Sequence, residues 1–529
     1  MAAESADRKT FAEPSPRTES LPEPLISTPL APVAASPNWL SAAVGGREHA
    51  LVERLRQFKD ATTVGAALEA WCGRRPDADR ESLARRLNRD IARIDQLLNA
   101  QLNAVLHHPH FQKLEASWRG VQYLADCQAA EGDSNIKLCL LTVTRKELER
   151  DFERSLEFDQ SELFRKVYED EFGSPGGEPL GCLIADFDMH PTVTPDHPYN
   201  DISLLRSLAQ VGAAAFCPII GNASPAMFGA DDFQALEHTI DHTRTFAQTT
   251  YLPWNSLRQT EDARFLGLAM PRILMRRPYE DDGTRVDRFC FHEDVSGPDR
   301  SKFLWGGAAY AMGEVLMRSF AQAGWLADIR GVKRNEERGG LVTRLPVADF
   351  STDAPGVAAR FSTDIVITDE AEKQLSDLGF IPLCHCKDTN FSAFYSNPSI
   401  QKPKRYDRAV ATTNASISAM LQYIFCVSRF AHYIKVLGRD KTGAFSTSQD
   451  LENLLHNWIV RYVTADAEAS TDVKARHPLR AAQVKVYPVP GRPGAYNCTM
   501  HLAPHYELDE LNATVTLQAE LTPARAAVQ

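Results

Sequence analysis

A chain of 529 residues with 43% hydrophobic residues holds enough apolar material to fill the cores of roughly two to four domains and reads as a globular protein with an appendage. Its formal charge of -11, with no lysine or arginine block standing free of acidic neighbours, opposes phosphate backbones and excludes nucleic acid as a partner. Ten cysteines scattered singly form no disulfide framework and read as small buried apolar residues in a reducing compartment.

The amino terminus has no basic region leading into an apolar run with a cleavage site, and no run of about 18 uninterrupted apolar residues follows, so neither a signal peptide nor direct membrane insertion is expected. A cytoplasmic protein is predicted. Residues 1–48 carry Pro14, Pro16, Pro22, Pro24, Pro29, Pro32 and Pro37 among Ser, Ala and Glu, a composition that reads as a flexible arm.

Residues 49–130 read as a helical region. Leu83, Leu87, Ile91, Ile94, Leu98, Leu102 and Val105 recur on one face, and Pro109 makes His108 a boundary before a second helix carrying Phe111, Leu114, Trp118, Val121 and Leu124.

Residues 131–375 alternate strand and helix. Residues 136–143 (IKLCLLTV) read as a buried strand, followed by a capping box from Thr144 to Glu147. Strand signals at 179–187, 215–221 and 264–270 and a helix at 201–211 continue a βα rhythm, which predicts a mainly parallel sheet. Residues 303–325 resemble a packed helix with small residues on one side.

Residues 376–529 form the predicted C-terminal core. Residues 412–441 are apolar on nearly every side and read as one central helix closed by Arg439, Lys441 and Gly443. An amphipathic helix is expected at 450–463, then a hairpin from 484–488 to 496–502, then a strand at 511–521. In that last strand Ala513, Val515, Leu517 and Ala519 alternate with polar residues, and its edge lacks proline and carries one charge, Glu520, so another chain's strand could add to it. The predicted class is therefore α/β, with a βα-alternating middle domain and a C-terminal α+β core ending in a β-hairpin.

Candidate chemistry is thin. Asp186, Asp188 and His190, in DFDMH after a predicted strand, could hold a divalent metal, which makes a metal-dependent enzyme the competing function. His107, His108 and His110 and the triplet Cys384, His385 and Cys386 lack the spacing of a zinc set; His238 and His242, four apart on an expected helix, could aim at one metal, but HTIDH lacks the glutamate of zinc proteases, so this pair reads as surface histidines. No phosphate-binding glycine loop or nucleophile elbow is present. Neither a catalytic residue, a cofactor nor a resident metal is assigned.

Residues 106–120 (LHHPHFQKLEASWRG), 158–181, 377–394 (DLGFIPLCHCKDTNFSAF), 401–406 (QKPKRY), 422–445 and 477–511 together resemble the large subunit of the type VI secretion contractile sheath, the TssC or VipB family, over roughly residues 90–521. The resemblance implies a tail-sheath-like fold and a structural, non-catalytic role. It implies pairing with the small sheath subunit TssB, helical stacking of six-fold rings around an inner Hcp tube, assembly from a baseplate, and disassembly by the ATPase ClpV. Subunit-linking strands are then expected at Val484, Val486, Tyr496, Cys498, Met500, Ala513, Val515, Leu517 and Ala519. By analogy with tail sheaths, Arg439 and Lys441 are expected toward the tube. The proline-rich arm is longer than the family's usual amino terminus, so an accessory, divergent second copy is the alternative within the family.

Overall fold

The computed structural model describes residues 52–521 except 73–78, 133–134, 239–240, 282, 285–288, 298, 333–335, 348–360, 388, 441–446, 467, 492–495 and 506–514. Two units divide at Ile94 and Asp95. In the first, helix α1 (Val64–Cys72) and the start of α2 (Arg80–Leu106) are joined by Trp71, whose indole N–H donates to Asp90 at 3.0 Å. The amphipathic α2 buries none of its residues, so its apolar stripe stays at the surface.

The second unit begins with α3 (Pro109–Glu131), where His108 is the N-cap and proline takes the first turn. Next comes α4 (Arg145–Arg154), opened by the Thr144–Glu147 capping box that the spacing predicts. Between them, residues 136–143 correct the sequence reading. They form no strand, and Leu138, Cys139, Leu140 and Leu141 are exposed. An apolar extended run becomes a strand only when another backbone edge lies within bonding reach, which the sequence pattern does not encode.

The sheet is built from β1 (Leu183–Met189), β2 (Ile219–Ala223), β3 (Leu266–Met270), β4 (Leu341–Val342), β5 (Phe380–His385) and β6 (Ser392–Phe394), in the order β1-β2-β3-β5-β6-β4. Its first four members are parallel and the β5-β6 and β6-β4 pairs are antiparallel. β2, β3 and β5 are almost wholly buried, as strands covered on both faces must be.

One face is covered by α5 (Asp201–Ala215) and by Trp254, Phe246 and Phe228 around Phe380. The other is covered by α6 (Ala309–Ala323), on which α3 packs. Gly313 makes that approach possible, since a β-carbon there would stand 2.5 Å from Leu124 and 2.7 Å from Ile184. Short helix α7 (Asp369–Asp377), capped by Thr368, leads into β5.

The predicted single helix at 412–441 is two. α8 (Ala409–Ser418) ends and α9 (Leu421–Asp440) begins because the chain at 419–421 bonds elsewhere: Ser399 donates to the Ala419 carbonyl at 3.0 Å and Leu421 donates to Asn397 at 2.9 Å. Leu421 and Phe425 then enter the core under the sheet, while Cys426, Val427, Phe430, Ala431 and Ile434 enter a second core. A helix apolar on most sides is the one that two cores share. The second core is closed by α10 (Ser448–Ile459) and by a three-stranded sheet of β7 (Leu479–Pro488), β8 (Tyr496–Pro504) and β9 (Val515–Leu521). Among the described residues, no helix is long and apolar enough to cross a membrane.

Candidate functional site

The C-terminal sheet has the order β9-β8-β7, with both pairs antiparallel. Alternation along β7 and β8 sends Val484, Val486, Cys498, Met500 and Leu502 inward against Phe430, Leu451, Leu455 and Ile459. Arg480, Lys485 and Tyr487 lie on the exposed side of β7. Register pairs Cys498 with Val486 and Ala519, Met500 with Val484 and Leu517, and Leu502 with Val515. Tyr496, Cys498 and Met500 therefore sit in the central strand, whose two backbone edges are already used; among the described residues the outer edge of β7 is partly taken, by Glu452 at Val486 and by Thr464 at Leu479, and β9 is the other end strand. Ala513 lies outside the described residues.

Helix α10 backs this sheet. Thr447 caps it, accepting from the Asp450 N–H, and Glu452 reaches across to accept from the Val486 N–H at 2.9 Å, so helix and strand are tied by a charge-assisted bond. An aromatic cluster fills the junction: Trp325 stacks on Phe430 at 4.3 Å, with Tyr462 and Trp458 edge-on around them. Arg439, expected toward an inner tube, is half-buried and its guanidinium donates to the Ser174 carbonyl; Lys441 lies outside the described residues.

The Ser174 loop follows a π-helix, Arg165–Gly173, whose aromatic side chains run as a ladder. Phe164 stacks on Tyr168 at 4.8 Å, Tyr168 meets Phe172 at 5.1 Å, and Phe172 meets His432 of α9 edge-on at 5.4 Å. The Lys435 ammonium lies over the Tyr168 and Phe172 rings and donates to the Tyr168 hydroxyl at 2.6 Å. Sequence reading passed over this ladder, although the four-residue spacing of Phe164, Tyr168 and Phe172 announces it.

DFDMH is placed differently from the sequence expectation, with Asp186 and Asp188 inside β1 and not in a loop beyond it. Both face α3. Asp188 pairs with Lys113 at 3.1 Å, and Asp186 accepts from the Ser117 hydroxyl and lies 3.8 Å from Lys113. Burial pushes the Asp186 carboxyl up from its ordinary value, and Lys113 and Ser117 pull it back. His190 is turned away from them: its backbone N–H donates to Asp201 at 2.7 Å and its ring stacks on His197 at 4.0 Å. Asp201, fully buried at the start of α5, also binds Arg145 and His197.

The other histidine and cysteine groups are equally dispersed. His242 is buried, which corrects its assignment to the surface, and its ring stands edge-on to Phe228 at 6.5 Å. Nothing is described of the His238 side chain. Cys384 is buried, His385 contacts Ser362 at 3.1 Å, and Cys386 contacts the Tyr395 hydroxyl at 3.8 Å, so the triplet fans out. Among the described residues no group of three or more His, Cys, Asp and Glu could hold a metal ion.

What is built, then, is a set of ordered faces and strand edges. Two family models match the chain in succession: VipB, described as EvpB/VC_A0108, tail sheath N-terminal domain, over residues 88–401, and VipB_2, the tail sheath gpW/gp25-like domain, over residues 410–521. The boundary between them falls between β6 and α9, close to where α9 passes from one core into the next. The chain is also 42% identical, over 442 residues, to a Pseudomonas aeruginosa protein named type VI secretion system sheath protein TssC1, covering 83% of this chain and 86% of that one. The chain belongs to the VipB tail sheath family.

Proposed function

We propose that the protein is the large structural subunit of a type VI secretion contractile sheath, and the observation that carries this is the consecutive match of both sheath domains across residues 88–521. On this reading it acts in the cytoplasm with a small sheath subunit, in stacked six-fold rings around an Hcp tube that grow from a baseplate and are recycled by ClpV. Contraction is stored in the lattice and not in a chemical step on this chain. The organisation that suits this role is an amino-terminal arm over 1–48, a helical region over 49–130, an α/β body over 131–375 and a C-terminal core over 376–529.

Within that reading, the outer edge of β9, with the part of β7 that Glu452 and Thr464 do not occupy, carries strand addition between neighbouring subunits, because the end strands of a three-stranded sheet have backbone donors and acceptors to be paired. Arg439, in the last turn of α9, and Lys441 are proposed to face the tube. The metal-dependent enzyme is not favoured, since Asp186 and Asp188 already face Lys113 and His190 stacks on His197.

Co-expression with the small sheath subunit, followed by negative-stain microscopy, tests the proposal. Tubes with a cogwheel cross-section are the expected result. A soluble, monodisperse protein that never assembles with that subunit, and that retains a stoichiometric metal, would overturn it.

A further inference from the structure

We infer that a cavity where the two matched sheath domains meet is a binding site for a small oxyanion, a carboxylate or phosphate group, held by Arg330, Lys474, Gln422 and His505. The cavity has a volume of about 60 Å³. Arg330 comes from the chain after α6, Gln422 from the first turn of α9, Lys474 from the short helix Thr471–Arg476, and His505 follows β8. Arg330 lies in the region matched by VipB and the other three in the region matched by VipB_2, so a group filling the cavity touches both domains.

The charges around this cavity are unbalanced. Among the described residues the half-buried Lys474 has no carboxylate partner, and the half-buried Arg330 guanidinium contacts only the Met420 sulfur, at 3.9 Å. Elsewhere in the same body Arg145, Arg276 and Arg318 each meet a carboxylate, as a chain of formal charge -11 readily allows. Asp328 also lines the cavity, but it is one negative charge against two positive ones and it acts on Arg338 as well. Burial, then the positive charges of Lys474 and Arg480, hold the His505 imidazole below its ordinary pKa, which is the mark of a positive potential at the site. Taking cations out of water without a counter-ion costs free energy that an anion recovers.

Two uncharged groups at the same cavity lack partners. The Oε1 of Gln422, a residue 8% exposed, and the Nε2 of His505 are both buried without a hydrogen bond. Folded proteins rarely leave such groups unpaired. The Gln422 Nε2 touches only the Met420 sulfur, at 3.8 Å, so a half-turn of the amide gives up little and offers N–H where the oxygen now stands. His505 Nε2 becomes a donor when an anion offsets the charges of Lys474 and Arg480. The site then presents an ammonium, a guanidinium, an amide and an imidazole, all able to donate to oxygen.

Size and charge select the ligand class. At ~15 Å³ for each water, the cavity has room for about four waters, which matches a group of four or five heavy atoms and excludes a nucleotide or a sugar. A metal cation is opposed by the two positive side chains. Water alone satisfies Gln422 and His505 but leaves Lys474 and Arg330 without a counter-ion. The oxyanion that fits arrives either as a free ion or as the end of an Asp or Glu side chain from a neighbouring subunit, and in both cases the same four groups bind it.

Titration of inorganic phosphate into the full chain, at fixed ionic strength and followed by calorimetry, tests this. Saturable binding to one site is expected, weakened at least about tenfold by Lys474→Gln and by Arg330→Gln. Phosphate should also raise the unfolding midpoint of the wild type and not that of Lys474→Gln. In phosphate-free buffer Lys474→Gln should be at least as stable as the wild type, because it removes a cation that has no counter-ion. Repetition with assembled sheaths separates the two sources: binding that persists assigns the site to a free ion, and binding lost on assembly assigns it to a neighbour's carboxylate. Phosphate that fails to saturate, or that binds both variants as tightly as the wild type, overturns the site. Loss of stability in phosphate-free Lys474→Gln shows the ammonium paired within the chain and overturns it as well. Failure of the chain to form sheaths counts against the sheath reading and leaves the phosphate result standing.

Discussion

The Nε2–H of His432, midway along α9, donates to the carbonyl of Ala215 at the end of α5, 3.0 Å away and 217 residues earlier in the chain. This bond ties the C-terminal core to the helix covering the parallel sheet. Burial keeps the ring a neutral imidazole, pulling its pKa down from 6.5 to about 4 against the opposing pull of the Ala215 carbonyl.

A pH dependence follows. The folded state resists protonation at His432 while the unfolded chain accepts a proton near its ordinary value of 6.5, so the unfolded state binds more protons between these limits. Stability is unaffected above pH 6.5, falls as the pH drops from there toward about 4, and loses about 3 kcal/mol from this one group at the low end. In the co-purified sheath complex, unfolding midpoints measured across that window should fall less steeply for His432→Gln, which keeps a donor for Ala215. Parallel slopes for the two proteins would remove His432 from the account.

Glu314 is the second expected weak point. Inside the apolar α6 it is 1% exposed, accepts from the Tyr123 hydroxyl and the Thr343 N–H, and pairs with Arg318 at 3.3 Å. Glu314→Ala leaves the Arg318 guanidinium buried with only the Gly339 and Leu341 carbonyls, and should cost about 3–5 kcal/mol in denaturant unfolding. Glu314→Gln, which can still accept, should cost less than half of that.

Packing between the sheet and α9 is tested at Gly267. A β-carbon there would stand 2.7 Å from Ile381, 2.8 Å from Leu421 and 2.9 Å from Ile220, all side-chain methyls that have to move. Gly267→Ala should destabilise by about 1–3 kcal/mol through overpacking, despite the gain in backbone stiffness. Thermal melts that match wild type would mean that α9 yields more freely than this packing implies.

On the proposed linkage between subunits, Val515→Pro is the informative change at the chain end. Val515 is paired with Leu502 at one end of β9, and proline removes its backbone donor. Heterodimers with the small subunit should still form, and long sheaths should be absent in electron micrographs. Normal-length, contractile sheaths would show that the β9 edge is not the joint.

Local signals in the sequence were sufficient wherever the determining interactions are themselves local. The Thr144–Glu147 capping box, the boundary at His108 before Pro109 and the pairing of 484–488 with 496–502 all appear as predicted, because each is set within a few residues. The resemblance of long motifs identified the family for the same reason, since each motif is a local wording.

Tertiary structure decided the rest. Residues 136–143 have the composition of a buried strand, yet a strand exists only beside another backbone, and among the described residues none is bonded to them. The break between α8 and α9 has no proline or glycine to announce it; it arises because Ala419 and Leu421 pair with Ser399 and Asn397. Asp186 and Asp188 look like ligands in a row of letters, and only the placement of Lys113 some 70 residues earlier turns them into ion-pair partners. In each case the deciding partner is remote in sequence, so no window of neighbouring residues contains the information.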